Sequence, residues 1–390
     1  MTIGSWSPGI TDSDSQVVRL FGAIEKERAQ CSRAGLCSAA STGKSLSTIS
    51  TYKGSHVHII KVAIVGAGAQ TRENLLPALL QVPNVRIVAV CDQMYSRAEE
   101  VRQFVEGAQL FDDVESMLGE IDLDAVVLAC PPQAHRDISI LAMKRGIHVF
   151  VEKPPCFTLA ELRQMVELAE QHKVITAVGL NFRFARPMQQ VRSILAGESF
   201  GKLVHLQINH YASKPRTPLW GMSSTLRSFL LAQAIHSIDL VSAFGGEIAR
   251  TGSSVQFDGD ALLARINVDF KSGVSAAVLT GTMFPYFEFE MKLISDRSKM
   301  IAIDNLWNIT LHENGHTSPT TGPDKRWRSA WQPGPLDSGY ERSGYLGELL
   351  KFFEAIRTKA EFEGSFKSML PTYEVIDSVC QHEEKMLAAA

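Results

Sequence analysis

The sequence is poor in the features that mark membrane, secreted and nucleic-acid-binding proteins. It has no run of 18 apolar residues, so we expect no membrane-spanning helix. Its first thirty residues carry four acidic side chains and no long apolar core, which argues against a secretory signal. A formal net charge of -3 offers no basic surface to nucleic acid or to anionic lipid. We therefore expect a cytoplasmic globular protein that has neither nucleic acid nor membrane as a partner.

Cysteine is also scarce, and its spacing is unlike that of a metal site. The six cysteines are Cys31, Cys37, Cys91, Cys130, Cys156 and Cys380. Even the nearest pair, Cys31 and Cys37, is six residues apart and isolated from the others. We expect the reduced thiols of an intracellular protein and no bound metal.

The length and composition suit two domains behind an N-terminal extension. The chain has 390 residues, of which 45% are hydrophobic and 21% charged. In the extension, residues 1–56, an apolar stripe over 13–34 predicts one amphipathic helix, and 37–55 is rich in Ser, Thr and Gly. The extension is either a disordered leader or an arm that packs on its own or a neighbouring subunit. The two domains are predicted to span 57–180 and 181–390.

The first domain is predicted to be a doubly wound α/β Rossmann domain, because short apolar strands alternate with helical segments. The predicted strands are 59–65, 86–90, 109–111, 125–130, 147–151 and 174–180, and the predicted helices are 71–81, 96–106, 114–118, 134–145 and 158–172. In the second domain, alternation of apolar and polar residues predicts an α+β fold with a large open, mainly antiparallel sheet. Its predicted strands are 202–211, 253–257, 261–270, 274–282, 286–295, 299–304 and 308–312, its helices 226–244, 345–357 and 371–387, and its long loop 313–344.

A glycine turn follows the first strand of the Rossmann pattern. Gly66 and Gly68 would allow a tight turn and a close approach of a pyrophosphate to the next helix, although Thr71 takes the place of a third glycine. We predict that Gln70 in this turn also contacts the dinucleotide. Asp92, at the end of the second strand, either accepts hydrogen bonds from the ribose hydroxyls or caps a helix. A carboxylate there favours NAD, while Ser96 and Arg97 leave NADP open.

The segment Ile147–Pro155 places a charged pair, Glu152 and Lys153, at the end of an apolar strand. Ligands of open parallel sheets lie beyond the carboxyl ends of the strands, so Lys153 is a candidate for chemistry. A lysine can polarise a reacting oxygen, or act as a base if burial lowers its pKa. The alternative is an ordinary surface lysine.

These motifs resemble those of the glucose–fructose oxidoreductase / inositol dehydrogenase / MocA (Gfo/Idh/MocA) family of NAD(P)-dependent oxidoreductases. The resemblance covers about residues 59–390 and rests on six segments: Val62–Gly68, Val88–Asp92, Ala129–His135, Gly146–Pro154, Asn181–Pro187 and His236–Asp239. It implies that Lys153 bridges cofactor and substrate and that His236 faces it across the cleft. It further implies that Pro131, His135 and Glu152 line the nicotinamide side.

One position departs from the family pattern. The family places an aspartate four residues before the histidine, and this chain has Ala232 there. Either Gln233, Tyr211 or Arg183 takes over its work, or the substrate differs from a plain hexose or cyclitol. Trp220 either stacks on a sugar ring or fills the core. His236 and His135 each have a purely structural alternative as buried histidines.

The resulting functional hypothesis is hydride transfer between a nicotinamide cofactor and a hydroxyl or carbonyl of a sugar, amino sugar or cyclitol derivative. The cofactor is expected to be NAD, with NADP left open. In this hypothesis Lys153 and His236 flank the reacting oxygen, since an imidazole titrates near working pH. Two alternatives stay open: a redox-neutral NAD-dependent sugar hydrolase or epimerase, and a non-catalytic NAD-binding sensor. An open sheet has a face to cover, so we also expect a homodimer or homotetramer.

Overall fold

A computed structural model describes residues 58–314, 326–333 and 339–389 of the chain. The predictions for the N-terminal extension, and for Cys31 and Cys37, lie outside the described residues. Within the described ranges, Cys91, Cys130 and Cys156 are free thiols.

The first half of the described chain forms a six-stranded parallel sheet, as predicted. Its strands are Ile60–Val65 (β1), Val85–Cys91 (β2), Gln109–Phe111 (β3), Ala125–Leu128 (β4), His148–Glu152 (β5) and Thr176–Gly179 (β6). Their order is β3-β2-β1-β4-β5-β6. Every pairing is parallel, so the carboxyl ends of the central strands meet at one edge. The prediction of a Rossmann domain is confirmed.

Helices cover both faces of this sheet, which explains why its strands are almost continuously apolar. A π-helical turn, Thr71–Leu75, leads into the first helix, and the helices of this half are Leu76–Leu79 (α1), Tyr95–Arg102 (α2), Val114–Glu120 (α3), Pro132–Lys144 (α4) and Leu159–His172 (α5). Side chains of β1 alternate between two cores: Val62 and Ile64 join one, and Ala63 and Val65 the other.

The second half builds an eight-stranded, mainly antiparallel sheet. Its strands are Leu203–Tyr211 (β7), Ile248–Asp258 (β8), Ala261–Phe270 (β9), Ser275–Gly281 (β10), Glu288–Ser295 (β11), Met300–Asp304 (β12), Asn308–Asn314 (β13) and Arg326–Trp331 (β14). Their order is β14-β13-β12-β11-β7-β10-β9-β8, and only β7 and β10 are parallel among the pairs formed. The predicted fold class is therefore confirmed for both halves.

The remaining helices connect and cover the sheets. They are Asn181–Phe184 (α6), Arg186–Ala196 (α7), Thr225–Phe229 (α8), Ile235–Gly245 (α9), Gly339–Arg342 (α10), Tyr345–Thr358 (α11) and Leu370–Ala389 (α12), with a π-helical turn at Leu230–Ala234 and a 3₁₀ turn at Lys367–Met369. Three elements of the second half correct the sequence prediction. Helices α6 and α7 were not predicted, and strand β14 lies inside the stretch 313–344 that was predicted to be a loop.

The continuous helix Thr225–Gly245 is long and apolar enough to pass a length-and-composition test for a membrane span. In the fold, 83% of its most apolar window is buried inside the protein. It packs on β7 and β10, and its Phe229, Leu230 and Ile238 belong to the same apolar cluster as Leu206 of β7. Its apolar character is thus explained by a place in the core.

The apolar packing does not stop at the predicted domain boundary. One cluster runs from the parallel sheet through α9 to the eight-stranded sheet. Conversely, Phe352 and Phe353 of α11 pack with Phe150 of β5 against the parallel sheet. The boundary between residues 180 and 181 stays a prediction.

Candidate functional site

The candidate site lies at the carboxyl edge of the parallel sheet. Four neighbouring strands, β2, β1, β4 and β5, end there, and each is followed directly by residues predicted to bind or react. Parallel register alone brings these segments together, because all the strands run toward the same edge. The glycine turn, Asp92, the start of α4 and Lys153 are consequently neighbours.

The glycine turn is shaped by the backbone beneath it. Gly66 has a φ of +93°, and a Cβ there would lie 2.6 Å from the backbone of Ala129 and Cys130. Gly68 is different, because a Cβ at that position would meet nothing within 4 Å. Thr71 is fully buried, and its hydroxyl donates to the Gly66 carbonyl. Gly66 and Thr71 therefore hold the turn together, and Gly68 leaves an open approach to its backbone.

Asp92 ties two backbone segments together. Its carboxylate accepts hydrogen bonds from the Ala67 amide at 2.7 Å and from the Met94 amide at 2.8 Å. The side chain is partly exposed at the end of β2. One oxygen thus bonds the glycine turn and the other bonds Met94, the N-cap residue of α2, so that Asp92 does not itself cap the helix. A contact of Asp92 with ribose hydroxyls stays a prediction.

Lys153 is held by contacts made on both sides of its strand end. Downstream, the Pro154 carbonyl bonds the His135 ring at 2.8 Å, and the Cys156 carbonyl accepts from the Tyr373 hydroxyl at 2.7 Å. The capping box of α5, Thr158 with Glu161, fixes the chain two residues later. Burial lowers the pKa of Lys153, and the neighbouring Glu152 carboxylate opposes that shift.

The amino group of Lys153 reaches across to the second half of the molecule. Its Nζ donates to the Ala232 carbonyl at 2.9 Å. Ala232 belongs to the π-helical turn Leu230–Ala234, where the chain departs from regular α-helical geometry. Such π-bulges in helices are frequent at functional sites. A backbone carbonyl thus faces the lysine at the position where the family pattern has an aspartate.

His236 lies one turn further along the same helix. It is 7% exposed, and its ring stacks on Phe182 with a centroid distance of 4.4 Å and an angle of 19°. Its Nδ1 is sealed from solvent without a hydrogen-bond partner. Burial, followed by the positive charge of Lys153, holds the pKa of His236 well below its ordinary value. The imidazole is therefore neutral at physiological pH.

A second histidine, which sequence reasoning missed, completes this cluster. His210 of β7 is fully buried, its Nδ1 lies 2.8 Å from the Ser237 hydroxyl, and its Nε2 has no partner. Burial, and then Lys153, lowers the pKa of His210 to about 4. A signal was present in the sequence, because His210 shares the strand parity of the apolar Leu206 and Ile208.

Glu152 links the lysine to the glycine turn. Its carboxylate accepts from the Gln70 side-chain amide at 2.7 Å and is 7% exposed. Behind it, Glu348 of α11 is fully buried, and neither of its carboxyl oxygens has a hydrogen-bond partner. Burial, and then the nearby Glu152, raises the pKa of Glu348 well above its ordinary value. Burial therefore favours the protonated, uncharged form of the Glu348 carboxyl group.

Two predicted substrate contacts are placed elsewhere. Arg183 is 5% exposed, and its guanidinium forms a double hydrogen bond with Asp239 of α9 and a third bond with the Glu363 carbonyl. Tyr211 lies on the opposite face of the eight-stranded sheet from His210, because successive strand residues alternate. Its ring packs on Phe284 at 4.2 Å. The geometry gives Arg183 a structural role and turns Tyr211 away from the lysine.

His135 is also engaged structurally. Its two ring nitrogens lie 2.8 Å from the carbonyls of Pro154 and Cys130, and it is 1% exposed. The ring therefore clamps the ends of β5 and β4 together, and its place on the nicotinamide side stays a prediction. Pro131, by contrast, is exposed directly before α4.

The last two predicted substrate residues are half-buried. Gln233 is half-buried in the π-helical turn, next to Ala232. Trp220 is half-buried and stacks on Phe157 at 5.8 Å, four residues beyond Lys153. Contact of either side chain with a substrate stays a prediction.

The residues at this edge fit a dinucleotide. Gly68 leaves room for close approach, and the amide groups at the start of the helix that follows it suit a pyrophosphate. Asp92 offers a carboxylate at the end of β2, where ribose hydroxyls are bound in such folds. Glu152 and Lys153 then stand at the end of β5, on the side where the nicotinamide would meet a substrate.

Comparison with known proteins agrees with this geometry. Residues 60–180 match a family model described as an oxidoreductase family with an NAD-binding Rossmann fold. The chain is also similar to a crystal structure of a dehydrogenase from Chromobacterium violaceum, at 54% identity and a TM-score of 0.82. That similarity covers 85% of this chain and 98% of the other. The cofactor is accordingly a nicotinamide dinucleotide.

Curated relatives are more distant. The D-glucoside 3-dehydrogenase of Escherichia coli K12 is 29% identical over 164 residues, which are 42% of this chain and 46% of that protein. The 2,7-anhydro-N-acetylneuraminate hydratase of Mediterraneibacter gnavus is 27% identical over 255 residues, 62% of this chain and 66% of that protein. The chain thus matches about half to two-thirds of the length of these relatives.

Proposed function

Because the chain belongs to the Gfo/Idh/MocA family of oxidoreductases, we propose that it transfers a hydride between NAD(P) and a hydroxyl or carbonyl carbon of a sugar, amino sugar or cyclitol derivative. One observation carries the proposal. Lys153, at the end of β5 beside the dinucleotide edge, donates to the helix that carries His236. A cation that follows β5 of the parallel sheet and a neutral imidazole on α9 therefore come to the same site from separate parts of the fold.

The two side chains divide the proton chemistry. Oxidation of an alcohol carbon requires that its hydroxyl lose a proton, and bound NAD(P) accepts the hydride. A neutral His236 can take that proton, and since its Nδ1 is sealed, transfer falls to Nε2. The Lys153 ammonium stabilises the negative charge that develops on the oxygen. In the reverse direction the same groups return the proton to a carbonyl oxygen.

Asp92 is the basis for preferring NAD. A carboxylate at the end of β2 can accept from ribose hydroxyls and would repel the 2′-phosphate of NADP. Comparing the Kd of NAD with that of NADP for the purified protein tests this preference. Equal affinity for the two dinucleotides would contradict it.

The test of the catalytic assignment is Lys153→Met, with Lys144→Met of α4 as the control because Lys144 is exposed. We expect the first variant to lower kcat by about a hundredfold or more on any sugar or cyclitol that the protein oxidises. NADH affinity, measured by the fluorescence of the reduced nicotinamide, should change little, and the control should behave as wild type. Near-normal turnover by Lys153→Met would refute the assignment.

A second candidate, a redox-neutral hydrolase or epimerase, is favoured by the name of one relative, a hydratase. In such a reaction the hydride removed from the substrate returns to it within one turnover. Product would form without net absorbance at the reduced nicotinamide band. A screen of sugars and cyclitols that follows both absorbance and product by chromatography separates the two functions.

We also propose a cytoplasmic homodimer or homotetramer. The face of the eight-stranded sheet turned away from α9 carries half-buried apolar residues, among them Leu263, Leu279 and Ile294. A second copy of the chain would cover them. Light scattering at micromolar concentration tests this proposal, and a monomer would contradict it.

A further inference from the structure

Phe287 occupies an unusual place on the eight-stranded sheet. It precedes β11 by one residue and shares the parity of Phe289 and Met291, which are fully buried under the helices. Yet Phe287 is 52% exposed. The helical cover of that face therefore ends at this residue, and the ring looks into an opening.

Phe287 lies beside the histidine cluster of the candidate site. Phe289 pairs with His210 across the β11–β7 ladder, and the Phe287 ring meets the His210 ring edge-to-face at 5.3 Å. A row of rings continues inward, because Phe289 lies 5.4 Å from Phe182, which stacks on His236. Phe287 is the outermost member of this row and the one with a free face.

The loop that carries Phe287 is held in position. It leaves β10 at the same end of the sheet at which β7 ends, since Gly281 and Tyr211 are partners in a parallel pair. The Phe284 amide donates to the Ala212 carbonyl at 3.3 Å, and Arg216 donates to the Thr282 carbonyl at 3.3 Å. The loops after β7 and β10 thus support each other, which keeps Phe287 beside His210.

We propose that Phe287 is a substrate-recognition residue whose exposed ring packs on the apolar C–H face of a cyclic polyol. The proposal rests on the proposed function, because it assumes that a substrate reaches the opening between Lys153 and His236. Flat aromatic rings at the mouth of a polar cleft offer contact area with little loss of side-chain freedom. An acyclic polyol has no rigid C–H face and gains little from such a contact.

Binding can be measured without turnover. Saturation-transfer NMR on the NAD-loaded protein, with methyl β-D-glucopyranoside and myo-inositol as cyclic probes and D-sorbitol as the acyclic one, reports which ligand protons lie against aromatic protons. We expect ring C–H signals in wild type that fall about three- to tenfold in Phe287→Ala and return in Phe287→Tyr. The signal of D-sorbitol should not change.

The matched control is Phe104→Ala, which removes a phenylalanine that is 63% exposed on the Rossmann half. Where a probe is turned over, Phe287→Ala should raise KM and change kcat little, whereas Lys153→Met lowers kcat. Equal cyclic and acyclic signals, or a Phe287→Ala variant with unchanged cyclic signals, would overturn the proposal and leave the proposed function standing. A change of oligomeric state in Phe287→Ala would instead assign the ring to a subunit contact.

Discussion

In the parallel sheet, the residues of the candidate site share a position at the ends of strands. In the eight-stranded sheet, the face on which a side chain lies determines whether it belongs to the site. Gly66, Asp92 and Lys153 share no face, yet they meet because their strands run toward one edge. His210 and Tyr211 are adjacent in β7, yet one touches the helix of His236 and the other packs on the far side of the sheet. The dinucleotide edge therefore follows from strand order, and the substrate side follows from strand parity and helix packing.

The two regions also differ in how they hold charge. At the dinucleotide edge, backbone amides bond Asp92, and the buried carboxyl group of Glu348 lies near Glu152. On the substrate side, Arg183 and Asp239 form an ion pair that is 5% and 1% exposed. That pair fastens α6 to α9, the helices that carry Phe182 and His236. Disturbing it should unsettle the substrate side and leave the dinucleotide edge intact.

The largest expected effect is that of Asp239→Asn on stability. The substitution leaves the Arg183 guanidinium buried without a counter-charge, which costs about 3–5 kcal/mol. Urea denaturation should show this loss in the free energy of unfolding. The control is Asp260→Asn, which breaks the ion pair between Asp260 and Arg216. The two side chains are 60% and 46% exposed, so the loss should be at most about 1 kcal/mol.

The comparison between regions is sharpened by measuring NAD affinity under conditions where Asp239→Asn is still folded. We expect a Kd for NAD close to that of wild type, because no contact of the pair reaches the glycine turn. A large loss of NAD affinity at full folding would show that the two regions are not independent. A loss of stability no greater than that of Asp260→Asn would show that the pair does not fasten the helices.

An effect of intermediate size is expected in β7, where His210 and Tyr211 are adjacent in the strand but lie on opposite faces of the sheet. His210→Asn should lower kcat about tenfold or more, because His210 positions the helix of His236 through its contact with Ser237. Tyr211→Phe, its neighbour on the other face, should change kcat less than about twofold. Steady-state kinetics and the pH profile of kcat measure both, with NAD affinity as the check on folding. Equal losses in the two variants would contradict the parity argument.

This contrast explains how far the sequence could be read. Lys153, Asp92 and the glycines were predicted correctly in place, because a strand end is recognisable from local apolar runs and turn residues. Tyr211 was predicted as one candidate to replace the missing aspartate, and His210 was not singled out. The alternation of Leu206 and Ile208 nevertheless predicts that His210 lies on the buried face of β7 and Tyr211 on the other face.

Other features had no local signal. The π-helical turn at Leu230–Ala234, which turns the Ala232 carbonyl toward Lys153, arises from packing and hydrogen bonds across the two halves. The partner of Arg183 is 56 residues away in the chain. Strand β14 lies in a stretch rich in Pro and Gly, where turn residues suggested a loop, and it forms by pairing with β13. Each of these depends on tertiary contacts that periodicity does not record.

The smallest expected effect concerns the contact that joins the two regions. Ala232→Asp introduces the carboxylate of the family pattern beside the Lys153 amino group, and Ala232→Asn supplies the same size without charge. A carboxylate favours the ammonium form, so the pKa of Lys153, now lowered by burial, should rise. The pKa of His236, also lowered by burial and by Lys153, should rise in the same direction.

The sign of the pH dependence follows from these shifts. Alcohol oxidation by the proposed mechanism requires neutral His236 and charged Lys153, so activity falls below the pKa of the imidazole and above that of the amine. Raising both pKa values moves both limbs of the profile to higher pH in Ala232→Asp. Ala232→Asn should keep the wild-type profile. If the alkaline limb stays in place in Ala232→Asp while the thermal midpoint is unchanged, Lys153 is not the group that titrates there, and the carbonyl contact across the two regions does not set its charge.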